Sequence, residues 1–117
     1  MNSFDNDRPI YIQLVEKIIK SIISGEYSLG SKLPSVRELA VIYKVNPNTV
    51  QKALSEIEDT GLIYTERTNG KYVTNNEKLI KKTKDKLASE ITSKYIDDMN
   101  KLGIAFNEIS DYLREGK

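Results

Sequence analysis

The sequence predicts a mostly α-helical chain with one small β-hairpin, and three observations carry that expectation. Apolar residues recur at helical spacing through most of the 117 residues. Helix start and stop residues punctuate those stretches. A single Asn69-Gly70 pair stands between two β-prone runs. At 38% hydrophobic and 30% charged, the chain can fold as one small domain with an appendage.

Residues 1–9 read as a loose arm. From Ile10 to Ser24, Leu14, Val15, Ile18, Ile19, Ile22 and Ile23 form a wide apolar stripe, as a core-facing helix needs. Gly25 is a terminator, and the turn-rich GEYSLGSKLP reads as a loop. Ser35 with Glu38 three residues on forms a capping box, opening a second helix with Leu39, Ala40 and Tyr43 inward. Asn46 then Pro47 starts a third: Asn46 accepts from a free first-turn N–H, and Pro47 has no N–H to leave unpaired. This helix runs to about Thr60, with Val50, Ala53, Leu54 and Ile57 on one face, and Gly61 ends it.

Two helices joined by so short a turn cannot lie antiparallel and must cross steeply. In LIYTERTNGKYVT, Asn69-Gly70 predicts a hairpin through a type I′ turn, which needs φ > 0 at both central residues. Three helices and a hairpin give the winged helix-turn-helix order over residues 1–76.

Residues 77–117 predict a two-helix tail. A long helix from about Lys78 to Leu102 spans about 37 Å. Leu87, Ile91, Tyr95 and Met99 recur four apart along it, and Leu102 continues the row. After Gly103, Ala105 to Glu115 reads as a short helix with Phe106, Ile109, Tyr112 and Leu113 apolar. Lys94, Asp98 and Lys101 break any strict heptad, which points to a helical bundle. Leu87, Ile91, Tyr95, Met99, Leu102, Phe106 and Ile109 are the candidate dimerisation residues, as core or subunit interface.

Charge and composition exclude several functions. The net charge is +1, and residues 1–76 carry nine Lys/Arg against nine Asp/Glu. Any nucleic-acid binding must therefore rest on local placement of charge. With no Cys and no His, the usual zinc sites and Ser-His or Cys-His nucleophile pairs are missing, and no disulfide framework exists. No enzyme activity, metal or cofactor is expected. No apolar run approaches the ~20 residues of a membrane span, and the N-terminus lacks a signal-peptide order. A cytoplasmic chain without membrane contact is the expectation.

The second helix of a helix-turn-helix enters the DNA major groove with its N-terminal residues against base edges. Asn48, Thr49, Gln51 and Lys52 stand on the polar side of the third helix, and with Asn46 at its start they are its candidate DNA contacts. Asn and Gln pair bidentately with adenine, Thr meets a phosphate or a thymine methyl, and Lys reaches guanine or phosphate. Ser35 and Arg37 lie at a helix N-terminus that suits a phosphate. Thr68, Asn69, Gly70 and Lys71 form the expected wing tip. Each residue also has a plain structural reading: Ser35 and Asn46 as helix caps, Asn69-Gly70 as a turn, polar residues as a solvated face. The order of elements favours duplex DNA. The rival is a winged helix used as a protein–protein or RNA-binding adaptor, for which the neutral charge of residues 1–76 speaks.

KLPSVRELA (32–40), followed by VNPNTVQKALSEIEDTGLI (45–63), resembles the GntR family of bacterial transcription regulators. PIYIQLVEKIIKSIISGEYSLGSKLPS also matches the family's first helix and loop, so the resemblance covers about residues 8–74. The tail with LGIAFNEI is similar to the YtrA-like subgroup, which lacks a large effector domain and dimerises through its tail. The resemblance implies a homodimeric repressor, often for an ATP-driven transporter operon. One reading helix per chain and an apolar tail that needs a partner predict a palindromic operator, with the small-molecule effector left open. It implies that Arg37 binds phosphate and that Thr49 contacts DNA. Pro47 and Gln51 stand where many members carry Arg, which implies a different operator sequence. Thr68 replaces the first glycine of the common G-x-G wing, and Ala105 stands where a capping Ser or Thr is expected.

Overall fold

A computed structural model describes residues 3–115. Met1 and Asn2 of the expected arm, and Gly116 and Lys117 of the expected tail, lie outside the described residues. The order is α1 (Ile10–Ile23), α2 (Val36–Tyr43), α3 (Pro47–Thr60), β1 (Ile63–Glu66), β2 (Gly70–Val73), α4 (Glu77–Lys101) and α5 (Phe106–Glu115). Two compact units divide it, Met1–Lys81 and Lys82–Lys117. The division falls within α4, five residues beyond the 76/77 boundary read from sequence. Leu79 and Ile80 of the first turns of α4 pack on the core of the first unit, which explains the shift.

Three helices and the hairpin enclose that core. Leu14, Ile18 and Ile22 come from α1, Leu39 and Tyr43 from α2, and Val50, Ala53, Leu54 and Ile57 from α3. The hairpin side is closed by Leu33, Leu62, Ile63 and Val73. The capping box at α2 is complete: Glu38 N–H donates to Ser35 Oγ at 3.1 Å, and Ser35 N–H donates to Glu38 Oε1 at 2.8 Å. Asn46 Oδ1 accepts from Asn48 N–H at 2.7 Å, with Pro47 in the first turn. Between α2 and α3, Lys44 takes φ 57, the one non-glycine with positive φ among the described residues. This left-handed residue ends α2 and lets the chain reach Asn46 in two steps.

The expected loose arm is tied down at Asp5 and Arg8. Gln13 is 4% exposed. Its Nε2 donates to the carbonyls of Asp5 and Arg8, and its Oε1 accepts from Asp5 N–H at 2.7 Å. A buried amide with every group paired fixes the chain it touches.

The hairpin turn differs from the sequence expectation. Glu66 pairs with Gly70, so the loop is Arg67, Thr68 and Asn69. Asn69 N–H donates to Glu66 O at 2.8 Å, and φ is positive at Gly70 (107°) but not at Asn69. A three-residue loop with one glycine beyond the turn replaces the two-residue type I′ turn. The hairpin also gains a third short partner. Lys32 bridges Tyr72, Leu33 N–H donates to Lys71 O, and Val73 N–H donates to Ser31 O. Sequence reading placed this stretch in a loop.

In the second unit α5 starts one residue later than expected. Ala105 has no capping side chain, and Glu108 Oε1 accepts its N–H at 2.9 Å instead. Ile109 is buried at 4% exposed. Leu87, Tyr95 and Met99 are half-buried, and Ile91, Leu102 and Phe106 are exposed. Among the described residues no helix is long and apolar enough to cross a membrane.

Candidate nucleic-acid interface

The outer face of α3 is the centre of the candidate site. Val50, Ala53, Leu54 and Ile57 turn inward and are fully covered. That packing forces Asn48, Gln51 and Lys52 outward, and all three are exposed; Thr49 is half-buried. Ser55, one turn on from Gln51, is exposed on the same face and was missed from sequence, where nothing set it apart from other helix-surface serines. Asn46 is exposed, but its side-chain oxygen already serves the helix cap.

A second cluster lies at the start of α2. Arg37 is exposed and forms no ion pair among the described residues. Glu38, the nearest acid in sequence, is held below its ordinary carboxylate range by the hydrogen bonds from Ser35. The carboxylate stays ionised, with Oε1 held on the cap. Arg37 shares a shallow groove with Ser35, Pro34 and Lys32. Lys32 was not singled out from the sequence; the groove and the bridge to Tyr72 are what bring it to the site. A Cβ on Gly70 would stand 3.1 Å from Lys32 Cε, so the wing comes close to this cation.

The wing tip carries Arg67, Thr68, Asn69 and Gly70, all exposed. Arg67 is an exposed cation that sequence reading passed over, although it stands inside the ERTNG turn. Lys71, expected at the wing tip, has partners within the chain. Its Nζ donates to Glu58 Oε1 at 2.7 Å and to Thr65 Oγ1 at 2.8 Å. Lys71's hydrogen bond, and then that of Thr65, hold the Glu58 carboxyl below its ordinary value. Lys71 thus ties the wing to α3. Lys52 also has an internal contact: its Nζ lies 3.9 Å from the ring centroid of Tyr11. No cluster of metal-ligating side chains exists among the described residues.

A capped α2, a three-residue turn, a polar-faced α3 and a wing of short strands define a winged helix-turn-helix of the DNA-binding class. Residues 10–73 match the gntR family of bacterial regulatory proteins, and the chain belongs to that family. It is 35% identical to the uncharacterised HTH-type transcriptional regulator YhcF of Bacillus subtilis, over 97% of this chain and 93% of that one. It is 36% identical to the HTH-type transcriptional repressor YtrA of Bacillus subtilis, over 92% and 83%. A GntR family transcriptional regulator from Listeria monocytogenes superposes with a TM-score of 0.90 at 41% identity, over 97% of this chain and all of that one. The DNA-binding domain of AraR, solved in complex with operator ORX1, superposes with a TM-score of 0.57 at 27% identity, over 62% of this chain and 93% of that one. The chain is a DNA-binding transcription regulator of this family and not an enzyme.

Proposed function

We propose that this chain is a homodimeric repressor that reads a palindromic operator with α3 from each copy, and that its target is a transporter operon. The observation that carries this reading is the first half of α3. Asn48 and Gln51 project from one exposed face, while the buried face locks the helix in place. Base-edge readers need that combination of polar reach and rigid support. Arg37 supplies a charged phosphate clamp at the neighbouring helix start.

Dimerisation through the tail is supported by what the second unit leaves uncovered. Ile91, Leu102 and Phe106 are 64%, 75% and 72% exposed, and Tyr112 and Leu113 add to them. Ile109 is covered within its own chain and would support this surface from behind. A two-fold symmetric partner covers such residues with the same residues of a second copy. The transporter target follows the resemblance to the YtrA-like subgroup. Sedimentation with and without duplex DNA tests the proposal. Two chains per duplex are expected, with half-sites about 34–36 Å apart. Monomers at micromolar concentration, free and on DNA, would overturn it.

A further inference from the structure

We propose that Tyr11 is a positioning residue that holds Lys52 for a phosphate and away from the bases. The inference rests on α3 being the reading helix. Tyr11 is the second residue of α1, on a helix that packs against α3. Its ring is half-buried, and the Lys52 Nζ sits 3.9 Å from its centroid. That is well inside the range in which a ring face attracts a cation. No carboxylate among the described residues pairs with Lys52.

A free lysine on this face has a flexible four-carbon stem and could reach a base or a phosphate with equal ease. The ring narrows that freedom. It draws the ammonium toward Tyr11 on α1. An ammonium has three donors and the ring occupies one side of it, so the others remain for phosphate oxygens. Base reading is thereby left to Asn48 and Gln51, and Lys52 adds affinity that does not depend on sequence.

The test titrates the full-length chain against two duplexes, one selected from a randomised pool and one unselected, over a range of salt. The variants are Lys52→Met, Tyr11→Leu, Tyr11→Phe, the double variant Tyr11→Leu/Lys52→Met, and pentafluorophenylalanine at position 11. Lys52→Met is expected to lower the salt slope by about 0.9 on both duplexes. Tyr11→Leu should weaken binding about two- to five-fold when Lys52 is present and not at all when it is Met. Tyr11→Phe should bind like the unmodified chain, and the fluorinated ring, equal in shape but stripped of its negative face, like Tyr11→Leu. Equal losses from Tyr11→Leu with and without Lys52, a fluorinated ring that binds as well as Phe, or an unchanged slope in Lys52→Met would each overturn the proposal. The reading of α3 is judged separately: if Asn48→Ala and Gln51→Ala leave base preference intact, that reading fails whatever the Tyr11 coupling shows.

Discussion

Replacing Lys71 by Met or Glu58 by Gln should loosen the wing by the same amount, and the two losses should not add. Lys71 Nζ, Glu58 and Thr65 close a ring of hydrogen bonds at 2.7, 2.8 and 2.8 Å, joining both strands to α3. The two charged side chains are 29% and 34% exposed, so water screens their attraction. An exposed pair contributes about 0.2–1 kcal/mol, and the extra bonds through Thr65 place this one near the upper end, about 1 kcal/mol. For a unit of this size that lowers the melting midpoint by roughly 4–8 °C. The sign with pH follows from the depressed Glu58 pKa. The contribution is fully present above the ordinary value of 4.5 and is lost as pH falls through the lower folded value. Lys71→Met should therefore flatten part of the acid limb of stability below that point. Thermal melts of both single variants and the double variant, near neutral pH and in acid, read these effects. If the single losses add, or if Glu58→Gln leaves the midpoint unchanged while Lys71→Met lowers the DNA salt slope by about 0.9, Lys71 is a phosphate contact and not a tie.

Ser35→Ala should cost about 0.5–2 kcal/mol in urea unfolding, because the Glu38 N–H loses its acceptor, and Ser35→Asp should restore most of it. A fragment of residues 1–81 should fold as a monomer and bind operator about 10²–10⁴-fold more weakly than the full chain, since the second half-site is no longer tethered. A fragment ending at 76 should melt lower still, because it lacks Leu79 and Ile80, as calorimetry of the two fragments can establish.

Helices were the most legible part of the sequence, because their signals are local. Ser35 with Glu38 and Asn46 with Pro47 fix two helix starts within four residues, and the apolar spacing of Val50, Ala53, Leu54 and Ile57 names the buried face of α3. The polar face follows by elimination, which is why Asn48 and Gln51 could be singled out. What the sequence hid depends on residues far apart along the chain. Lys71 looked like a free wing cation because Glu58, its partner, lies 13 residues earlier on another element. Lys52 looked free because Tyr11 belongs to α1. The Lys32 bridge is too short and too close to glycine and proline to show strand alternation. Asn69-Gly70 signalled a turn correctly but not its type, since the positive φ is needed only at Gly70. Ala105 showed no cap because the capping group, Glu108, reaches back from inside the helix.

On this structure α3 is expected to read bases while the start of α2 grips the backbone. The most direct test titrates the Gln51→Ala and Arg37→Ala variants against a set of single-base changes in the selected duplex. Gln51→Ala should cost about 1–3 kcal/mol on the preferred site and relax preference at one base position. Arg37→Ala should weaken every sequence about equally and lower the salt slope by about one. A change of base preference in Arg37→Ala, with preference untouched in Gln51→Ala, would contradict the account.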